Sequence, residues 1–108
     1  MTTTFDQRER AFETQFALDA ELRFKANARR NRFLGLWAAR KLGLVGAEAE
    51  SYARELVVTD VDNPGSDSVF EKVSADFARR DIDDPGNEIH RMMEEFTVQA
   101  VAEIRAGK

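Results

Sequence analysis

The sequence predicts an all-α protein, a four-helix bundle whose first helix is longer than the domain that carries it. Three observations lead there. Apolar residues recur every three to four positions through most of the 108 residues, which is the spacing of one helical face. No segment shows the strict alternation of a half-buried strand. Glycine and proline, which punctuate regular structure, fall mainly at 43–46, 62–68 and 81–87.

The elements follow in order. Thr4 and Gln7 fit a capping box, and Asp6 suits the positive end of a helix dipole. From there no glycine or proline intervenes until Gly35. Gly35 stands among strong helix formers in FLGLWAARKL and is expected to be tolerated within the helix rather than to end it. Gly43 is a suitable residue just past the helix end, with Arg40 and Lys41 in the last turn. Helix one is therefore expected over 5–42. Helix two, over 46–62, has Ala49, Tyr52, Ala53, Leu56 and Val57 on one face. DNPGSDS is a loop, and Ser68 with Glu71 offers a second capping box. Helix three runs to about Arg80 with Val69, Phe70, Val73 and Phe77 inward. DIDDPGN is a turn in which Asp84 caps with Pro85 at the first helical position, or Asn87 caps a later start. Helix four runs to about Ala106 through Ile89, Met92, Met93, Phe96, Ala100, Val101 and Ile104.

Length sharpens the first helix. At about 1.5 Å per residue it would approach 60 Å, whereas a compact domain of this size is only about 30–35 Å across. Its apolar phase also changes near Asp19. Phe5, Phe12 and Phe16 share one direction within about 20°, while Leu22, Ala26, Phe33 and Trp37 form a stripe about 70–80° away. The second stripe is expected in the bundle core. The first has no evident partner in the domain, and such faces mark interaction sites. The chain thus divides into an N-terminal segment, 1–19, and a bundle, 20–108. The segment is expected to project or to be disordered when free, becoming helical when a groove accepts its phenylalanines. Periodicity equally permits a break near 18–21 with the phenylalanines folded back on the bundle.

Charge is unevenly placed. Residues 21–41 carry seven bases (Arg23, Lys25, Arg29, Arg30, Arg32, Arg40, Lys41) against Glu21 alone, while 42–108 carry fifteen acids and seven bases. This basic stripe is expected either to pair with the protein's own acidic helices or to meet an acidic surface or phosphate. The chain has no cysteine, hence no disulfide framework and no thiolate metal site. No stretch approaches the eighteen or so apolar residues of a membrane helix, and MTTTFDQRER lacks the features of a secretory signal. A cytoplasmic protein without direct membrane insertion is expected.

The stretch FDQRERAFETQFALDAELRFKANARRNRFLGLWAARKLGL resembles the zeta subunit family of alpha-proteobacterial F-type ATP synthases. PGSDSVFEKV resembles that family's connector into its third helix. The combination of FDxRExAFExxF with ARRNxxLGxWAAxxLG is specific, and the similarity covers nearly the whole chain. The resemblance implies a four-helix bundle whose N-terminal segment inhibits ATP hydrolysis. It implies insertion at a catalytic interface between the alpha and beta subunits, near the gamma stalk, blocking rotation in the hydrolytic direction. Carried over by position, the inhibitory residues are Phe5, Asp6, Arg8, Glu9, Ala11, Phe12, Glu13 and Phe16. The family often has a histidine in the FAxD step. Leu18 stands there in this chain and cannot titrate, so no local pH sensor is implied. The protein would then lie peripherally on the membrane-bound synthase and be a monomer when free.

Other readings are weaker. Arg29, Arg30 and Arg32, near Asn27 and Asn31, are candidates for a phosphate or a weakly bound adenine nucleotide; otherwise no cofactor is expected. A nucleic-acid binder would use the 21–41 stripe, but the rest of the chain is acidic and no recognition motif is present, so none is expected. A scaffold module using the Phe5, Phe12 and Phe16 face is the remaining alternative. Trp37 is expected in the core and His90, the lone histidine, on a solvated flank. The acids at 60–67 and 81–84 lack the twelve-residue calcium pattern, so no metal site is expected. With no phosphate loop, nucleophile motif or paired acids, an enzyme is not expected either.

Overall fold

A computed structural model describes residues 20–64 and 67–108. Among these residues there are four α-helices and no strand: α1 (Ala20–Lys41), α2 (Ala47–Asp62), α3 (Ser68–Arg79) and α4 (Glu88–Arg105), with a short 3-10 turn at Pro85–Asn87 before the last. The expected boundaries of helices two, three and four are met within two or so residues. The part of helix one expected before Ala20 lies outside the described residues.

Helix α1 is the centre of the bundle. It lies antiparallel to α2, with Gly35 against Ala53, and antiparallel to α4, with Phe33 and Phe96 rings 5.8 Å apart. Trp37 reaches α3, its ring 5.8 Å from that of Phe77. One core joins all four helices: Leu34, Ala38, Ala39 and Leu42 from α1 and its cap, Tyr52 and Leu56, then Val69, Val73, Phe77 and Ile89. Phe70, Met92, Met93 and Phe96 pack around it, half-buried.

Gly35 departs from expectation. It is buried, and a Cβ built there would stand 2.5 Å from the Ala53 Cα. It is therefore a contact requirement between two backbones rather than a tolerated weakness. The expected core stripe of α1 is also displaced. Ala26 is fully buried, but Phe33 and Trp37 are only half-buried. The most deeply covered positions are Leu34, Gly35, Ala38 and Ala39, which with Leu42 face about 160° away from it. A helix packed on two sides buries its smallest residues where neighbouring backbones come closest, and keeps large rings at the flanks where there is room.

The helix ends explain the turns. Gly43 adopts φ +77, its N–H donating to the Arg40 carbonyl while Leu44 N–H donates to Ala39. This is a complete Schellman ending. Arg80 adds a hydrogen bond from its guanidinium to the Leu42 carbonyl at 2.9 Å, placing positive charge at the negative end of α1. Helix α3 ends the same way with Asp81 at φ 56 and Ile82 N–H donating to Phe77. The expected Ser68–Glu71 box is displaced by one residue: Ser68 is the first helical residue, Asp67 holds the cap position, and Glu71 N–H donates to the Asp67 carbonyl. At α4 the capping bond comes from Asp84, while Asn87 holds the cap position without a side-chain cap bond. Pro85 opens the 3-10 turn, Asn87 takes a left-handed conformation, and Asp84 Oδ1 accepts from Ile89 N–H at 2.9 Å.

A polar clasp closes α2 on α3. The Tyr52 hydroxyl donates to Asp76 Oδ2 at 2.8 Å, and Lys72 bridges Asp76 and Glu55. Burial first, then the bond to Asp76, pushes the Tyr52 phenol above its ordinary range.

Candidate functional site

The segment bearing Phe5, Asp6, Arg8, Glu9, Ala11, Phe12, Glu13 and Phe16 lies outside the described residues, as does its Thr4–Gln7 box. The structure describes the ground that this segment joins, namely the first turns of α1 and the part of α2 beside them.

The basic stripe there is largely met by the protein's own acids. Lys25 pairs with Glu21 at 3.0 Å along α1. Arg29 pairs with Glu103 of α4 at 3.3 Å and also donates to the Lys108 carbonyl. Arg32 meets both carboxylate oxygens of Glu50 on α2 at 3.1 Å. Lys41 meets Glu88 at 2.8 Å, and that hydrogen bond holds the Glu88 carboxyl below its usual range. Pairs of this kind at a solvated surface are individually weak. Their main effect is to orient the acidic helices around a basic one. Arg29, Arg30 and Arg32 thus engage three different partners: the end of α4, the interior, and the start of α2.

Arg30, one of the three candidate phosphate-contacting arginines, leads to a groove that the sequence did not single out. Its Nε donates to Asn31 Oδ1 at 3.0 Å. Burial lowers its pKa below the ordinary arginine value, with Asp60 opposing that shift. Asn31 is fully buried, and its Nδ2 has no hydrogen-bond partner among the described residues. Because Arg30 donates to the amide oxygen, the orientation of the amide is determined and the unpaired atom is a donor. Leaving such a donor unmet costs about 1–3 kcal/mol.

Asn31 lies at the floor of a groove of about 330 Å³ between α1 and α2. Arg23, Phe24, Asn27 and Ala28 line one wall, and Val57, Asp60, Val61 and Pro64 the other. Phe24 is 61% exposed and Val61 is 52% exposed, so the rim is apolar and open. The groove combines apolar rims, a buried donor and guanidinium groups, and is suited to an apolar segment that carries an acceptor. The sequence signal for it was faint: Phe24 and Val61 are apolar residues outside their helices' core faces, and Asn31 is a polar residue one turn before the buried Leu34 and Gly35.

The remaining candidates are structural. Trp37 is half-buried at the flank of the core, packed against it. His90 is exposed and stacks on Phe70, with ring centroids 3.8 Å apart and planes 6° from parallel.

Among the described residues no helix is long and apolar enough to cross a membrane. In comparison with known proteins, the family model described as ATPase inhibitor subunit zeta matches residues 1–103. No curated protein matches the chain.

Proposed function

Because the chain belongs to the ATPase inhibitor subunit zeta family, we propose that it restrains ATP hydrolysis by an F-type ATP synthase through residues 1–19. The observation that carries this reading is the extent of the family match, which runs through the phenylalanine-bearing segment as well as the bundle. In this reading the segment inserts as a helix at a catalytic alpha/beta interface near the gamma stalk and blocks rotation in the hydrolytic direction. Phe5, Phe12 and Phe16 are its anchors, each contributing about 2 kcal/mol when buried. Asp6, Arg8, Glu9 and Glu13 set register more than affinity. The bundle is a handle too wide to follow the segment into the interface. The protein has a regulatory role, sits on the cytoplasmic side of the synthase, and performs no catalytic step of its own.

The test is a titration of F-type ATPase from the same source, with hydrolysis and synthesis followed separately. Residues 20–108 alone are expected to lose inhibition while retaining far-UV helicity. Phe12→Asp in the full chain is expected to raise the half-inhibitory concentration by at least about tenfold, the equivalent of about 1.4 kcal/mol. Full inhibition by the truncated protein would rule out this assignment.

A further inference from the structure

The groove between α1 and α2 opens within a turn of the point where residues 1–19 join the domain, and its chemistry is that of an unfilled contact. Its rims carry exposed Phe24 and Val61, and its floor carries the fully buried Asn31 with an unpaired Nδ2 donor. We propose that residues 5–16 of this same chain dock in this groove when the protein is free, an autoinhibitory contact that holds the inhibitory segment in reserve. The proposal rests on the reading of residues 1–19 as the inhibitory segment and adds a means of regulating it.

Length and connection favour this occupant. A helix over 5–16 is about 18 Å long, and the α1 wall from Arg23 to Asn31 runs about 12 Å. Residues 17–19 are a connection of ordinary length for two antiparallel helices. The segment is tethered, so it faces the groove at a high effective concentration. The chemistry fits as well. Phe5, Phe12 and Phe16 share one face, matching the apolar rims. Glu9 stands within about 40° of that face and supplies the acceptor that Asn31 Nδ2 lacks. Arg30 flanks that position, with Asp60 on the opposite wall offsetting part of its charge, and Arg23 lies at the end of the groove nearer residues 17–19. The docked face is the one that an enzyme would have to engage, so docking and inhibition compete. A docked form in tenfold excess lowers apparent affinity for the enzyme about tenfold.

The experiment uses the full chain, which contains no cysteine, with a nitroxide placed by Thr14→Cys. Thr14 lies about 180° from the phenylalanine face, so the label does not block the contact. Paramagnetic broadening is expected at the amides of 23–31 and 57–64, and is expected to vanish on adding Val61→Asp, a substitution at an exposed position. Val61→Asp is further expected to inhibit the ATPase at three- to tenfold lower concentration than the parent chain. Absence of broadening at the groove, broadening that survives Val61→Asp, or, where the parent chain inhibits, unchanged potency of that variant would each overturn the proposal. Broadening without inhibition by either protein would support the docking and count against the inhibitor reading, so the two failures are distinguishable.

Discussion

The two halves of α1 are alike in composition and opposite in what the bundle does with them. Both are rich in arginine, alanine and large apolar residues. In the C-terminal half, Leu34, Gly35, Ala38 and Ala39 are buried, and the helix ends in a Schellman turn tied by Arg80. From Ala20 to Asn31 only Ala26 and Asn31 are buried, Phe24 is largely exposed, and the Asn31 Nδ2 has no partner among the described residues. One half carries the close approach of helix backbones that builds the core. The other holds an open groove beside the segment proposed to inhibit. Stability and availability for binding are thus divided along a single helix, since a face already packed to interior density cannot also receive a partner.

Three substitutions test this contrast. The largest effect is expected for Gly35→Ala. Helix propensity alone would stabilise by about 1 kcal/mol, but the added methyl meets the Ala53 backbone. The net expectation is a loss of about 2 kcal/mol and a fall in Tm of roughly 10 °C. An unchanged or higher Tm in thermal unfolding would remove the core half of the comparison.

Tyr52→Phe is expected to cost about 1 kcal/mol at neutral pH, because Asp76 keeps Lys72 and Arg79 as partners. The pH dependence has a definite sign. The folded phenol titrates above its ordinary value of 10.0, so its contribution is fully present below that pH and is lost as pH rises towards the folded value. Denaturant melts should therefore show the parent and Tyr52→Phe converging above about pH 10. Divergence there would mean that the hydroxyl does not act through Asp76.

The smallest effect belongs to the open half. Phe24→Ser is expected to change unfolding free energy by less than about 0.5 kcal/mol, since the ring is 61% exposed. A loss above 2 kcal/mol by chemical denaturation would show Phe24 to be a core residue and the two halves to be equivalent.

Helix identity and most boundaries were legible in the residues. The 46–62 periodicity anticipated Ala47–Asp62, and Gly43 announced the end of α1, because caps and apolar spacing are local properties. Self-pairing of the basic stripe was foreseen as one of two outcomes, and the pairs of Arg29, Arg32 and Lys41 show it. The buried face of α1 was not legible. Periodicity weighs large side chains, whereas a central helix is closest to its neighbours at Gly35, Ala38 and Ala39. The groove escaped for a related reason: it is made by residues some thirty positions apart, and Asn31 is unsatisfied only once α2 removes it from water.

The residues alone carry the class of fold, the four helical segments, the glycine ending of α1, the uneven charge and the specific motif that places the chain in its family. These follow from interactions within a few turns of chain, or from the residues themselves. Tertiary packing sets which face of α1 is buried, makes Gly35 a contact requirement, shares the arginines among three partners, and opens the groove between α1 and α2. Each of these depends on the distance between helices that sequence spacing does not encode, and that distance is set by the smallest side chains at the crossing.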